Sequence, residues 1–221
     1  MFKRIATGLA YVAVLVGFFF LRWVDHRLFG ILVYAFSIIG TYEMVRAFSG
    51  KRCTEEGREA DAVMAMSLSQ KITVYAYAAL FTPLFYLVEH FAPGEGYRGM
   101  LVLSFLFALI LFCLLVFDHR RTNLLGTGAA MISGFYPTAI LATMLLANEF
   151  RTASTLALQL MFVIPAVADT FAFAVGSVLK GPKLCPNISP KNTESGAVGG
   201  CVLGTAASVL YGLLLCAAQA L

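Results

Sequence analysis

Seven apolar stretches, each about as long as a bilayer is thick, leave this chain few folds to choose from. They run Ile5–Trp23, Leu28–Phe48, Ile72–Phe91, Met100–Phe117, Leu125–Ala147, Leu156–Leu179 and Gly196–Leu221. A transmembrane helix needs about 20 mostly apolar residues, and each stretch reaches or approaches that length. None alternates apolar with polar residues, as a membrane-barrel strand does. Lipid offers no hydrogen bonds to an open strand, so helices remain. The expected fold is all-α: a polytopic membrane helical bundle of about seven transmembrane helices, in a single integral membrane domain spanning residues 1–221.

Composition agrees. The chain is 60% hydrophobic and 13% charged, with a mean hydropathy of +0.83, whereas soluble domains are about half apolar and about a quarter charged. The net charge is +4 and the basic residues are scattered, which argues against a nucleic-acid partner. The five cysteines form no CxxC pair, so neither a disulfide framework nor a zinc site is expected. The apolar run after Met1-Phe2-Lys3-Arg4 is long, Phe-rich and without a small-residue cleavage site. It reads as a retained first span, not as a signal peptide.

Charge bias gives the orientation. Of 16 Lys and Arg residues, 12 fall at the N-terminus, around Arg46–Lys71, at Arg120–Arg121 and at Lys180, Lys183 and Lys191. The alternate loops hold Arg22, Arg27, Arg98 and Arg151. The positive-inside rule puts the N-terminus and the 180–195 loop in the cytoplasm of a multi-pass plasma-membrane protein. Ser49–Gln70, the longest hydrophilic stretch, mixes both signs and reads as a solvated connector. Glu43 is expected to pair with Arg46 at i+3. Glu89 and His90 read as interfacial.

Ionisable groups inside a span are rare and costly, so each needs a reason. Asp169 lies well inside the sixth stretch, between Leu156–Ala168 and Thr170–Val175. It is expected to face the bundle interior or a wet cavity. At about 100° per residue, Asp169, Phe173, Gly176 and Lys180 fall within about 40° of one another, with Ala172 bordering them. Asp169 and Lys180 are about 16 Å apart along the axis, too far for an ion pair.

Beyond this helix, Pro182, Pro186 and Pro190 stand four apart. Proline cannot continue a helix, so 180–195 is expected to be a structured non-helical loop. It carries Lys180, Lys183 and Lys191 with the hydroxyls of Ser189, Thr193 and Ser195. Ammonium groups neutralise phosphate, and Thr193 or Ser195 can cap the next helix, whose N-terminus attracts anions. The loop is thus either an anion cradle or an ordinary positive-inside connector. In the last stretch Gly196, Gly200, Gly204, Ser208 and Gly212 recur every four residues. Such a ladder lets a second helix backbone approach closely.

The run Asp169-Thr-Phe-Ala-Phe-x-x-Gly176, followed by Lys183-Leu-x-Pro186-x-Ile-Ser189-Pro190-Lys191-x-Thr193-x-x-Gly196-x-x-Gly199-Gly200, resembles the phosphatidate cytidylyltransferase (CDP-diacylglycerol synthase) family. Lys3-Arg4-Ile-x-Thr7-Gly8 and Tyr42-Glu43 are similar to it as well. The resemblance implies a membrane enzyme that condenses CTP with phosphatidic acid, with Mg2+, to give CDP-diacylglycerol and pyrophosphate. It implies catalytic roles for Asp169, Lys183 and Ser189. It implies substrate contacts for Lys180, Lys183, Ser189, Pro190, Lys191 and Thr193. Besides CTP, phosphatidic acid and membrane lipids, a second copy of the chain is a partner such a bundle allows.

This chain departs from the family pattern at Ser177, Asn192 and Ser195. The family's second signature, with metal-binding carboxylates, has no counterpart here. The chain therefore reads as a C-terminally truncated member lacking the metal-binding side of the site. Asp169 is the one candidate metal ligand, and no metal site is otherwise identified. A CTP-dependent polyprenol or lipid kinase is the nearest alternative. A non-catalytic transporter or scaffold is the other, and it would need more polar residues within spans than Asp169 alone.

Overall fold

A computed structural model describes residues 2–49, 52–53, 59–60, 66–149, 154–185 and 189–219. The side chains of 2–12, 52–53, 59–60, 190–191 and 218–219 lie outside that description. The fold is an all-α polytopic membrane bundle, with helices over all seven predicted stretches. The chain divides into two compact units, Met1–Glu149 and Phe150–Leu221.

The first unit holds α1 (Phe2–Val24), α2 (Phe29–Ser49), β1 (Arg52–Cys53), β2 (Glu59–Ala60), α3 (Leu68–Phe91), α4 (Gly96–Phe117) and α5 (Leu124–Asn148). A 3-10 turn, His26–Leu28, joins α1 to α2. The strands β1 and β2 pair antiparallel inside the hydrophilic connector, Arg52 opposite Ala60. Helices α2, α3 and α5 pack on one another, and α4 packs on α3 and α5. Their shared interior is aromatic and aliphatic. Tyr77 stacks on Phe107 with ring centroids 4.2 Å apart, and Phe29, Val74, Phe85, Leu111 and Leu145 are fully covered. Elsewhere large apolar side chains such as Leu101, Phe105 and Val116 stay exposed. In water that surface would be costly; on a membrane helix it is the lipid-facing side.

Several helix starts precede the apolar runs because polar residues cap them. Ser67 Oγ accepts from the Gln70 amide at 3.3 Å, and Gln70 Oε1 accepts from the Ser67 amide at 2.9 Å. This reciprocal capping box begins α3 at Leu68, four residues before the apolar run. Gln70 Nε2 then donates to Thr127 Oγ1 at 2.9 Å, so the buried amide is satisfied. Glu89, expected to be merely interfacial, accepts from the backbone amides of Gly94 at 2.6 Å and Gly96 at 3.0 Å. It thereby closes the turn into α4. Glu43 and Arg46 are both exposed, and no ion pair joins them among the described residues. The i+3 pairing expected from sequence is absent because exposed partners gain little from meeting.

At the α1–α2 turn a polar network ties distant segments together. Arg22 Nε donates to Asn148 Oδ1 at 2.8 Å, and Asn148 Nδ2 donates to the His26 carbonyl at 2.9 Å. Glu149, the C-cap just after α5, brings Oε2 within 3.6 Å of His26 Nε2.

The second unit is a helical hairpin: α6 (Ser154–Leu179), β3 (Lys183–Cys185), β4 (Ser189–Thr193) and α7 (Glu194–Gln219). Helices α2 to α7 are all long and apolar enough to cross a bilayer, and α1 runs 23 residues. The predicted non-helical segment between α6 and α7 is more ordered than a loop. Its ends pair as an antiparallel ribbon, with Lys183 opposite Thr193 and Cys185 opposite Ser189.

Candidate active site

The site is built where α6 stops and α7 starts. α6 ends at Leu179, and Lys180 follows with φ 46°. This left-handed conformation closes many helices, usually on glycine, and a proline shortly after prevents resumption. Here lysine takes the left-handed position, with Gly181 and Pro182 behind it. The chain then turns into β3, crosses to β4, and enters α7 at Glu194.

Thr193 is the N-cap of α7. Its Oγ1 accepts from the Gly196 amide at 3.2 Å, satisfying one of the free donors of the first turn. Ser195 Oγ donates to the same oxygen at 3.2 Å. Of the two capping candidates, Thr193 therefore caps and Ser195 supports it. The ribbon is pinned at its base by the Glu194 amide, which donates to the Pro182 carbonyl at 3.0 Å.

Glycines make this junction possible. A β-carbon on Gly176 would stand 2.7 Å from Thr193 Oγ1, so Gly176 is the seat on which the capping hydroxyl rests. A β-carbon on Gly196 would lie 2.7 Å from the Ala172 carbonyl oxygen, and one on Gly200 2.9 Å from that of Ala168. One on Gly204 would lie 2.9 Å from the Ala168 α-carbon. The predicted small-residue ladder thus packs backbone to backbone on α6. Gly212 departs from it, since a β-carbon there meets nothing within 4 Å among the described residues. Gly199, off the four-residue repeat, also packs, against Val175.

The geometry brings some predicted residues together and leaves others apart. Lys183 and Thr193 are direct ribbon partners, and Ser189 lies at the other end of β4. Lys180 and Lys183 are exposed, and Thr193 is buried. Pro190 and Lys191 lie in β4, with side chains outside the described residues, and Pro186 is outside them altogether. Asp169 sits seven residues before Gly176, about 10 Å along the α6 axis. It is exposed rather than covered, and it makes no hydrogen bond or ion pair among the described residues. Gly176 and Gly181 are the contributors whose positions the sequence left without a task. A β-carbon on Gly181 would meet Ser195 Oγ at 3.2 Å. The signal for Gly176 was its place in the Asp169–Gly176 run, and Gly181 carried only its position between Lys180 and Pro182.

Chemically, the junction presents exposed ammonium groups, two hydroxyls and the positive end of a helix dipole. That combination suits a polyanion such as a phosphate chain. It does not by itself suit a metal. Among the described residues no group of three or more His, Cys, Asp or Glu side chains comes together to hold one, and Asp169 stands alone.

Comparison with known proteins points the same way. The model of the Cytidylyltransferase family matches residues 2–220. The chain is 30% identical over 122 residues to a phosphatidate cytidylyltransferase of Rickettsia prowazekii (strain Madrid E), covering 49% of this chain and 54% of that protein. It is 33% identical over 84 residues to a phosphatidate cytidylyltransferase of Rickettsia typhi (strain ATCC VR-144 / Wilmington), covering 38% of this chain and 37% of that protein. The matches thus span about half or less of those relatives' length. No solved structure matches significantly.

Proposed function

We infer the function of this chain from the fact that it belongs to the cytidylyltransferase family. The reaction that its site supports best is transfer of a cytidylyl group from CTP to phosphatidic acid at the membrane. A phosphatidate oxygen attacks the α-phosphorus of CTP. The new phosphorus–oxygen bond forms as the bond to the β-phosphate oxygen breaks. The products are CDP-diacylglycerol and pyrophosphate.

One observation carries this reading: the ribbon sets Lys183 opposite Thr193 at the capped N-terminus of α7. Lys180, Lys183 and Lys191 neutralise phosphate charge in this reading. Ser189 and the hydroxyl hydrogen of Thr193 give directional bonds. The N-terminus of α7 adds a positive dipole end. Phosphoryl-type transfer needs little covalent chemistry from the protein, so positioning and charge neutralisation are what these groups supply. Asp169 would support the region where the ion accompanying the nucleotide phosphates sits. Pro190 holds β4 extended through its fixed φ. Magnesium enters as the companion of the nucleotide phosphates, and no step is assigned to it. The 12-to-4 bias of basic residues supports a cytoplasmic ribbon in a plasma-membrane protein, where CTP is at hand.

The test is direct. Membranes containing the full chain are incubated with CTP labelled in the cytidine, phosphatidic acid and magnesium. The expected product is labelled lipid, with pyrophosphate released in equal amount. Label recovered as free CDP alongside a newly phosphorylated lipid would replace this reading with a lipid kinase. No labelled product of either kind would overturn it.

A further inference from the structure

The ribbon between α6 and α7 carries an exposed apolar side chain among exposed lysines, and this points to where it lies. α6 and α7 each have 26 residues, about 39 Å of helix. The hydrocarbon core is about 30 Å thick. The helix ends therefore reach into the headgroup layer, and the ribbon joins those ends. Every residue of β3 is exposed. The pairing is irregular between Lys183 and Cys185, and Leu184 stands at that irregularity. Leu184 is 49% exposed, and Val178 and Leu179 at the end of α6 are 77% and 67% exposed. The apolar surface of a membrane-spanning helix thus continues into the ribbon. Lys180 and Lys183 are exposed and form no ion pair among the described residues. Glu194, the acidic residue at the ribbon's base, pairs with neither.

We propose that the β3–β4 ribbon lies in the headgroup layer, with Leu184 among the upper acyl chains and Lys180 and Lys183 on anionic lipid headgroups. Long lysine stems cover apolar surface while their ammonium groups reach the polar layer. Anionic lipids favour basic groups at that depth. The placement stands whatever reaction the site performs. Resting on the cytidylyltransferase reading, it adds that an anionic lipid substrate reaches the lysines within the bilayer plane, while the nucleotide arrives from water.

The experiment is depth-dependent quenching. Trp23 is the chain's one tryptophan, so Trp23→Phe gives a silent background. Leu184→Trp in the full chain then reports on the ribbon alone. In bilayers with roughly 30% phosphatidylglycerol and lipids brominated high on the acyl chain, emission is expected to fall by about half, because interfacial segments insert about 5–10 Å. Iodide in the water should quench weakly. Strong iodide quenching without bromolipid quenching would overturn the proposal, since the ribbon would then stand in water. Protection from both quenchers would overturn it too, because protein would cover Leu184. Adding Lys180→Gln with Lys183→Gln should reduce bromolipid quenching in the anionic bilayer and leave it unchanged in neutral phosphatidylcholine. Equal quenching in both bilayers would remove the lysines from the proposal.

Discussion

The α-carbon of Gly176 on α6 stands 3.3 Å from where a β-carbon on Gly196 of α7 would sit. At this crossing the two backbones touch, and the Thr193 cap is held beside it. Gly196→Ala would also press its methyl to 2.7 Å from the Ala172 carbonyl, which is backbone and cannot rotate away. Overpacking of this kind costs about 1–3 kcal/mol, and it would push α7 and its cap off Gly176. Thermal unfolding in detergent should show the loss, together with a fall in cytidylyl transfer. Gly212→Ala is the control. A β-carbon there meets nothing within 4 Å among the described residues, so the variant should hold or slightly raise stability, because alanine is favoured over glycine within a helix.

Thr193→Ala should cost about 1 kcal/mol, the usual value of a lost N-cap. Thr193→Ser keeps the oxygen that accepts from the Gly196 amide and should recover most of that stability. If the hydroxyl also contacts substrate, Thr193→Ser recovers turnover as well. Thr193→Val keeps the shape and should recover neither. Melting temperature and product formation are measured on the three variants, and turnover that falls further in Thr193→Ala and Thr193→Val than their loss of stability accounts for assigns a substrate contact.

The helices were legible because each is a long apolar run, and nothing in a bilayer competes with a helix for such a segment. Their starts were less so. The Ser67–Gln70 box adds polar residues that an apolarity count leaves out. Glu89 serves amides five and seven residues ahead, a reach set by the turn's shape and not by any local pattern. The ribbon escaped reading because its pairing joins residues ten apart across prolines, without apolar alternation. The glycine ladder was legible as spacing, but its limit at Gly212 depends on what α6 offers opposite. Asp169 was found by its cost within an apolar run. Its exposure on α6 could not be read from a pattern one helix wide.

Glu149 predicts a pH dependence. Burial pushes its carboxyl above the ordinary carboxylate range; His26 and Arg27 oppose the shift and Glu89 adds to it. Its Oε1 is buried without a hydrogen-bond partner among the described residues. A carboxyl with a raised folded-state pKa binds protons more tightly when folded. Its contribution is therefore complete below the unfolded value and is lost as pH rises through the folded one. The native chain should lose stability as pH climbs through that window. Glu149→Gln should flatten this part of the profile and be the more stable form at alkaline pH. A melting series on both proteins from acid to alkaline pH checks it, and parallel curves would rule it out.

Asp169→Asn tests the one carboxylate deep in a span. An ionised acid at the middle of a bilayer costs about 2.5–3.5 kcal/mol, and this one is exposed on α6 with no partner among the described residues. Under the proposed function this carboxylate serves the reaction and not the fold. Removing its charge should leave the melting temperature unchanged or slightly higher, since surface changes away from contacts fall within about 0.5 kcal/mol. Turnover should be abolished, with CTP binding by equilibrium dialysis reporting whether the loss lies in binding or in the chemical step. Retained turnover would assign Asp169 to helix packing. A collapse in stability with turnover would assign it a structural partner within the membrane.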